Sequence, residues 1–141
     1  RIIPRTIINI LLKKKLILHG SGKSVRSFIH ISDVNTALDK IIKSGNFNET
    51  YHISTSEYIS IYDLVKKICK NHNIKIDKLI LNSEDRIGKD YSYKLKINKI
   101  KRNLDWKPKI SLDKGLNMTQ KWFSNNIKSI QNFPLDYQHK K

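Results

Sequence analysis

The sequence predicts an α/β domain. Along its 141 residues, segments with apolar residues at helical spacing alternate with short runs of β-branched and aromatic residues. A chain of this length can bury a hydrophobic core of its own. The pattern is lost from Ile127 onward. We therefore expect one folded domain over residues 1–126, followed by a tail over residues 127–141.

Five helices are predicted, and most have a recognisable start or stop. Pro4 lies near the start of the first helix, where its missing N–H costs least. Serine or aspartate precedes the second, third and fifth helices as a candidate cap, and Gly45 is suited to end the second. In chain order the predicted helices are Pro4–Leu12, Ser32 or Asp33 to Gly45, Ser60 to His72 with Asp63 completing the cap, Ile97–Leu104, and a last helix after Ser111.

Short strands are predicted between the helices, from their content of β-branched and aromatic residues. They are Leu16–Leu18, Val25–Ile31, Thr50–Ile53, Ile74–Leu81 and Tyr91–Leu95. Residues 82–90 are predicted to form a polar loop. No run of 18 apolar residues occurs, so we expect no membrane-spanning helix.

The predicted strand Val25–Ile31 contains one arginine, Arg26, shortly after a turn built on Gly20 and Gly22. Two glycines allow the backbone to bend sharply and to approach a ligand closely. Because burying an unpaired guanidinium is costly, we expect Arg26 to face an anion or solvent. The planar guanidinium suits a phosphate group better than the ammonium of lysine does.

A second isolated arginine, Arg86, lies beside a loop that contains a glycine. Two guanidinium groups converging on one site would suit a diphosphate. An ion pair at the surface explains either arginine alone equally well. From the residues themselves both interpretations are open.

No complete catalytic or metal-binding motif is present. The five histidines are scattered, and the single cysteine, Cys69, lies on the apolar face of a predicted helix, where we expect a core residue. One thiol excludes internal disulfides and fits a reducing cytoplasm. A P-loop ending in Gly22-Lys23-Ser24 would need a glycine at position 17, which is Ile17. No Gly-X-Gly-X-X-Gly fingerprint for a dinucleotide occurs either.

The net charge of +16 raises a second hypothesis, a basic module that binds nucleic acid. The lysines are spread along the whole chain rather than clustered, and no basic stripe is interleaved with aromatic residues. The distribution does not favour nucleic acid as a partner, but the hypothesis stays open as an alternative of a different class.

Five segments, in order, resemble motifs of the nucleotide-sugar enzymes of the extended short-chain dehydrogenase/reductase family, most closely the dTDP-glucose 4,6-dehydratases. They are Arg1–Arg5, the Gly20-X-Gly22 turn with Val25–Val34, Glu49–Ile53, Asp85–Asp90 with Tyr93, and Leu104–Pro108. The resemblance covers nearly the whole chain, to about Phe123. Five motifs in order are more specific than any one of them.

The resemblance implies that the chain is the C-terminal, substrate-binding portion of a Rossmann-type enzyme whose N-terminal NAD-binding core is absent here. It implies NAD as the cofactor, held by that missing part, and a nucleotide sugar as the substrate. In the complete protein, oxidation at sugar C4 would be followed by elimination of water. The resemblance also implies a homodimer, and it implies that this chain alone is inactive.

Carried over residue by residue, the resemblance implies substrate binding by Pro4, Arg26, His52, Arg86 and Lys89. Arg26 and Arg86 would bind the diphosphate, and Pro4 with its neighbours would contact the nucleotide. No catalytic residue, cofactor-binding residue or metal ligand is implied within this chain.

Three positions depart from the family pattern. Ser27 stands where aspartate is common, His52 where asparagine occurs, and Lys89 where histidine is usual. Because these departures affect the nucleotide and sugar that would be bound, a 4-epimerase of the same family is an alternative to the dehydratase.

Overall fold

The structure is a computed structural model that describes residues 1–85, 88 and 90–131. Within these residues, six helices alternate with four short strands. In chain order they are α1 (Ile2–Leu11), β1 (Leu16–His19), β2 (Val25–Arg26), α2 (Ile31–Ser44), β3 (Ile59–Ser60), α3 (Ile61–Asn71), α4 (Ile76–Leu79), β4 (Ile80–Ser83), α5 (Asn98–Leu104) and α6 (Leu112–Ile130). No helix in the described part of the chain combines the length and apolar character needed to cross a membrane.

The strands form two separate pairs. Strands β1 and β4 are parallel, with Leu16 opposite Ile80 and His19 opposite Ser83. Strands β2 and β3 are antiparallel, with Arg26 opposite Ile59. Because β1 and β4 are parallel, the loops that follow them leave the same edge of the pair.

The main core lies between α1, α3, α6 and strand β1. Its fully buried side chains include Ile7, Leu16, Leu64, Ile68 and Leu116. Each helix presents an apolar stripe to this core, as expected for amphipathic helices. Burial of each such side chain contributes about 1.5–3 kcal/mol relative to leaving it exposed.

A second, smaller core joins α2 to α5 and to the segment after α5. Its buried members are Ala37, Ile97, Ile100, Leu104 and Trp106. The indole Nε1 of Trp106 donates a hydrogen bond to Thr36 Oγ1 at 3.1 Å, so the tryptophan is both packed and satisfied.

Most of the predicted helices are confirmed. Helix α1 begins at Ile2, two residues before the predicted Pro4. Ser60 Oγ accepts a hydrogen bond from the N–H of Asp63 at 2.9 Å and caps α3 as predicted. Ser111 caps α6 in the same way, accepting from the N–H of Lys114.

The predicted cap of α2 is wrong. The helix starts at Ile31, and the ring Nδ1 of His30 accepts the N–H of Ser32 at 3.2 Å. Asp33 is buried and serves another purpose: its carboxylate accepts the N–H groups of Lys109 and Ile110 at 3.0 and 2.9 Å. These bonds fasten the chain before α6 to the first turn of α2.

The strand predictions are only partly correct, because a strand needs a neighbour with which to pair. The stretch Val25–Ile31 pairs only at Val25–Arg26, since its partner β3 is two residues long. The predicted strand Ile74–Leu81 is in fact helix α4 over Ile76–Leu79. The strand, β4, comes after this helix and reaches Ser83, inside the stretch predicted as a loop. Helix α6 also runs on to Ile130.

Two predicted strands do not form within the described residues. In Thr50–Ile53 the side chains alternate as in a strand, with Tyr51 and Ile53 half-buried and His52 exposed, but no described strand lies beside them. Of Tyr91–Leu95, only Ser92 makes a bridge, to Val25.

Candidate functional site

The loops that leave the carboxyl edge of β1 and β4 meet the strand that bears Arg26. After β1, the turn Gly20–Gly22 has positive φ at all three residues, 56°, 51° and 68°. A Cβ at Gly20 would collide with the carboxylate of Asp85, and one at Gly22 would lie 2.8 Å from the backbone N of Tyr62. Both glycines are therefore required by conformation and by close contact.

The loop after β4 lies against this turn. Asp85 contacts Gly20, and the ring Nδ1 of His19 lies 3.4 Å from the carbonyl oxygen of Glu84. The start of the 84–90 loop is thus held at the end of β1. Polar groups from both parallel strands are gathered at one edge, the usual place for a ligand in α/β folds.

The guanidinium of Arg26 is half-buried and is held by backbone carbonyls. Its Nη1 donates to the carbonyl oxygens of Val25 and Tyr91, at 2.7 and 3.1 Å, and its Nη2 donates to that of Asp90 at 2.7 Å. The guanidinium carbon lies 4.7 Å from the centre of the Tyr93 ring, a distance that allows a cation–π interaction.

The hydrogen bonds to carbonyl oxygens do not use every N–H donor of the Arg26 guanidinium. A guanidinium has five N–H donors, and the three bonds to carbonyls use three of them. Within the described residues, no carboxylate forms an ion pair with Arg26. The side chain is therefore oriented by neutral acceptors, and no described carboxylate neutralises its positive charge.

Of the two arginines predicted to converge, the structure describes Arg26 only. Arg86 and Lys89 lie outside the described residues. Their described neighbours do reach the site: Asp85 contacts Gly20, and the carbonyl of Asp90 binds Arg26. The loop that bears both residues thus begins and ends beside the glycine turn and Arg26.

A cavity of about 600 Å³ opens between the start of α1 and strand β1. It is lined by Arg1, Ile2, Arg5, the strand Leu16–His19 and Ile61. Pro4 is half-buried in the first turn of α1, and the next residue, Arg5, lines the cavity. His19, the last residue of β1, also lines the cavity; no motif in the sequence marks it as a site residue.

His52 lies apart from the guanidinium. Its side chain is exposed between Tyr51 and Ile53, which pack on the second core. Within the described residues no hydrogen bond joins His52 to Arg26. Two residues after His52, the hydroxyl of Ser54 lies 3.1 Å from that of Ser27.

Cys69 and His72 have perturbed pKa values, and both lie on α3 or at its end rather than at this site. Burial raises the pKa of the Cys69 thiol, which fits the predicted core role of this residue. Burial lowers the pKa of His72. Among the described residues, no group of three or more histidine, cysteine, aspartate or glutamate side chains could hold a metal ion.

Comparison with known proteins identifies relatives. A family profile described as GDP-mannose 4,6 dehydratase matches residues 1–119. The dTDP-glucose 4,6-dehydratase of Escherichia coli is 30% identical over 136 residues, covering 89% of this chain and 38% of the relative.

Solved structures of nucleotide-sugar enzymes resemble this chain. A dTDP-glucose 4,6-dehydratase from Bacillus anthracis, in complex with NAD, has a TM-score of 0.85 and 30% identity and covers 91% of this chain and 40% of that one. A UDP-glucose 4-epimerase from Thermotoga maritima, with UDP-glucose, has a TM-score of 0.78 and 25% identity over 90% of this chain and 40% of that one. The chain thus spans about two fifths of the length of the relatives that it matches.

Proposed function

The chain belongs to the GDP-mannose 4,6 dehydratase family, and from this membership we propose that the protein carrying it is an NAD-dependent nucleotide-sugar 4,6-dehydratase. In the proposed reaction, oxidation at sugar C4 is followed by loss of water across C5 and C6. The contribution of this chain is to bind the substrate and to hold the sugar in position, a use of binding energy remote from the reacting atoms.

The observation that carries the proposal is the state of Arg26. Its guanidinium is oriented by three carbonyl bonds but is not neutralised by a carboxylate within the described residues. A preoriented, uncompensated guanidinium beside a glycine turn is suited to a diphosphate. Arg86, whose loop begins and ends at this site, is proposed as the second diphosphate ligand.

The nucleotide is proposed to occupy the cavity between α1 and β1. The cavity adjoins the Gly20–Gly22 turn, and Arg1 and Arg5 contribute to its lining. Pro4 would help to shape this cavity from within the first turn of α1. His52 and Lys89 are proposed as further substrate contacts on the strength of the family resemblance alone.

NAD is proposed to be held by the part of the protein that the relatives possess and this chain does not span. The turn Gly20–Gly22 leads from one strand to another rather than into a helix, so it does not offer a helix N-terminus to a pyrophosphate. When bound, NAD supplies the chemistry of hydride removal and return.

The test is a calorimetric titration of the full-length protein with dTDP-glucose, UDP-glucose and GDP-mannose. Arg26→Ala should weaken binding by about 1.5–3 kcal/mol, the value of a hydrogen bond to a charged group. Arg86→Ala should have a similar effect. Arg102→Ala, at an exposed position on α5, is the matched control and should bind as the unaltered protein does.

A 4-epimerase is the second candidate, favoured by the structural likeness to the UDP-glucose 4-epimerase. Product analysis by NMR separates the two activities. A 4-keto-6-deoxy sugar identifies the dehydratase, and a 4-epimer identifies the epimerase. If none of the nucleotide sugars binds, both proposals are wrong.

A further inference from the structure

An open groove of about 620 Å³ lies between α3 and the segment that follows it, residues 73–77. It shares no lining residue with the cavity between α1 and β1. Two isoleucines line it: Ile74, which packs against the main core, and Ile76, which is 8% exposed. A volume of this size is within the range of small-molecule binding sites.

Four lysines line this groove, and three of them have no partner among the described residues. Lys66, Lys70 and Lys75 are exposed, and within the described residues their ammonium groups form no ion pair or hydrogen bond. Lys67 is already engaged, since its Nζ lies 2.7 Å from Asp113 Oδ1. Three ammonium groups at the groove are therefore available to an external anion.

Two carboxylates, Asp63 and Asp77, line the groove as well. Asp63 is occupied at the start of α3, where its Oδ2 accepts the hydroxyl of Ser60 at 2.6 Å. Four lysines against two carboxylates leave the lining with a net positive charge.

The spacing of two of these lysines costs the helix stability. Lys66 and Lys70 are four residues apart on α3, so they are neighbours on one face, where like charges repel each other. A bound anion would relieve this repulsion. The aliphatic stem of a lysine can also cover apolar surface while its ammonium group stays in water, so the groove combines an apolar lining with positive charge.

We propose that this groove binds an organic anion, a phosphate or carboxylate group attached to an apolar body. The anionic group would meet the ammonium groups of Lys66, Lys70 and Lys75, and the apolar body would lie on Ile74 and Ile76. A soluble organic phosphate and the phosphate of a lipid share this chemistry. The inference does not rest on the proposed function, because the groove and the nucleotide cavity are lined by different residues.

The experiment is a calorimetric titration of the full-length protein, at low salt, with hexyl phosphate and with its two halves, inorganic phosphate and hexanol. We expect hexyl phosphate to bind about tenfold more tightly than either half, since both the charge and the apolar chain contribute. Equal affinities for hexyl phosphate and inorganic phosphate would overturn the inference.

A double variant, Lys70→Ala with Lys75→Ala, locates the binding. It should bind hexyl phosphate about fivefold more weakly, because each exposed charge contributes modestly. Lys78→Ala is the matched control: this lysine is exposed on α4 and does not line the groove, so its loss should leave the affinity unchanged. Thermal unfolding verifies that both variants are folded.

Arg26→Ala separates this groove from the proposed nucleotide site. It should leave the binding of hexyl phosphate unchanged, and the double variant should bind dTDP as the unaltered protein does. Binding of hexyl phosphate that is lost in Arg26→Ala but kept in the double variant would overturn the inference and leave the proposed function intact.

Cosedimentation with vesicles distinguishes the two sources of the anion. One set of vesicles contains phosphatidylcholine alone, and the other also contains phosphatidylglycerol. Binding to the second set only, lost in the double variant and kept in Lys78→Ala, identifies the phosphate of a lipid as the ligand. Binding of hexyl phosphate without binding to vesicles identifies a soluble organic anion.

Discussion

At the scale of single residues, one buried carboxylate joins parts of the chain that are 76 and 77 residues apart. Asp33 is 3% exposed and accepts the N–H groups of Lys109 and Ile110. A charged acceptor makes stronger hydrogen bonds than a neutral one. Asp33 therefore fixes the position of the segment that leads into α6.

Loss of this carboxylate should destabilise the fold substantially. In Asp33→Ala the N–H groups of Lys109 and Ile110, which are part-buried, lose a charged acceptor, and we expect the free energy of unfolding to fall by about 2–4 kcal/mol. Urea unfolding of the two proteins measures the difference. Asp39→Ala removes a carboxylate that is 58% exposed and paired with Lys43; as the matched control it should change stability by less than about 1 kcal/mol.

Hydrogen bonds also connect segments that resemble family motifs. Asp33 belongs to one family-like motif, and the Leu104–Pro108 segment to another. Helix α2, which begins within the first motif, holds the second one: Thr36 Oγ1 accepts the N–H of the Trp106 indole, and Lys40 donates to the carbonyls of Leu104 and Asp105. Asp105 has a φ of 43°, a left-handed conformation that favours glycine.

At the scale of elements, helix α3 shows why helices were easier to predict than strands. Its start is set by Ser60 and Asp63, three residues apart, and its buried face by Leu64, Val65 and Ile68. All of these signals lie within the helix itself. Strand β4 depends instead on pairing with β1, more than 60 residues away in the chain.

The burial of His72, at the end of α3, predicts that the stability of the fold depends on pH. Burial lowers the pKa of His72, whose ring Nε2 is buried and has no partner within the described residues. Because the unfolded chain binds this proton more readily, the contribution to stability is present above the ordinary pKa of histidine and is lost as the pH falls below it.

We therefore expect the free energy of unfolding to decrease between about pH 7 and pH 5, and to do so less steeply in His72→Gln. Urea unfolding at a series of pH values measures both slopes. The comparison variant is His52→Gln, which removes an exposed histidine. An equal slope in the unaltered protein and in His72→Gln would show that His72 does not carry the effect.

At the scale of the whole molecule, the net charge of +16 predicts one kind of anion binding and the candidate site another. Several acidic side chains already have partners within the chain. Asp33 accepts the backbone N–H groups of Lys109 and Ile110. Asp113 forms an ion pair with Lys67, and Glu49 forms one with Lys99. The excess of lysine is spread over the surface. Binding that depends on this excess would be diffuse and would not require Arg26.

Affinity for duplex DNA, where it can be measured, should thus fall steeply between about 50 and 200 mM salt. Arg26→Ala should change it little, since it removes one charge among many. The same substitution should weaken binding of a nucleotide sugar markedly. Fluorescence anisotropy with a labelled duplex, beside the calorimetric titrations, separates the two behaviours. Strong DNA binding that survives high salt would instead favour the nucleic-acid hypothesis.

By itself, the sequence determined the α/β class, the positions of most helices and the family, which the match over residues 1–119 confirms. Apolar spacing, caps and the order of short motifs are local signals, and they can be interpreted without a partner. The same holds for Cys69, predicted as a core residue and found buried.

Only the tertiary structure decided which strands pair and what surrounds Arg26. Thr50–Ile53 has a strand-like alternation but no described neighbour, and the strand predicted within Ile74–Leu81 shifted toward Ser83 to meet β1. The carbonyls that orient Arg26 come from residues 90 and 91. Such contacts join distant parts of the chain, and the free energy that selects them comes from packing the whole domain rather than from any local preference.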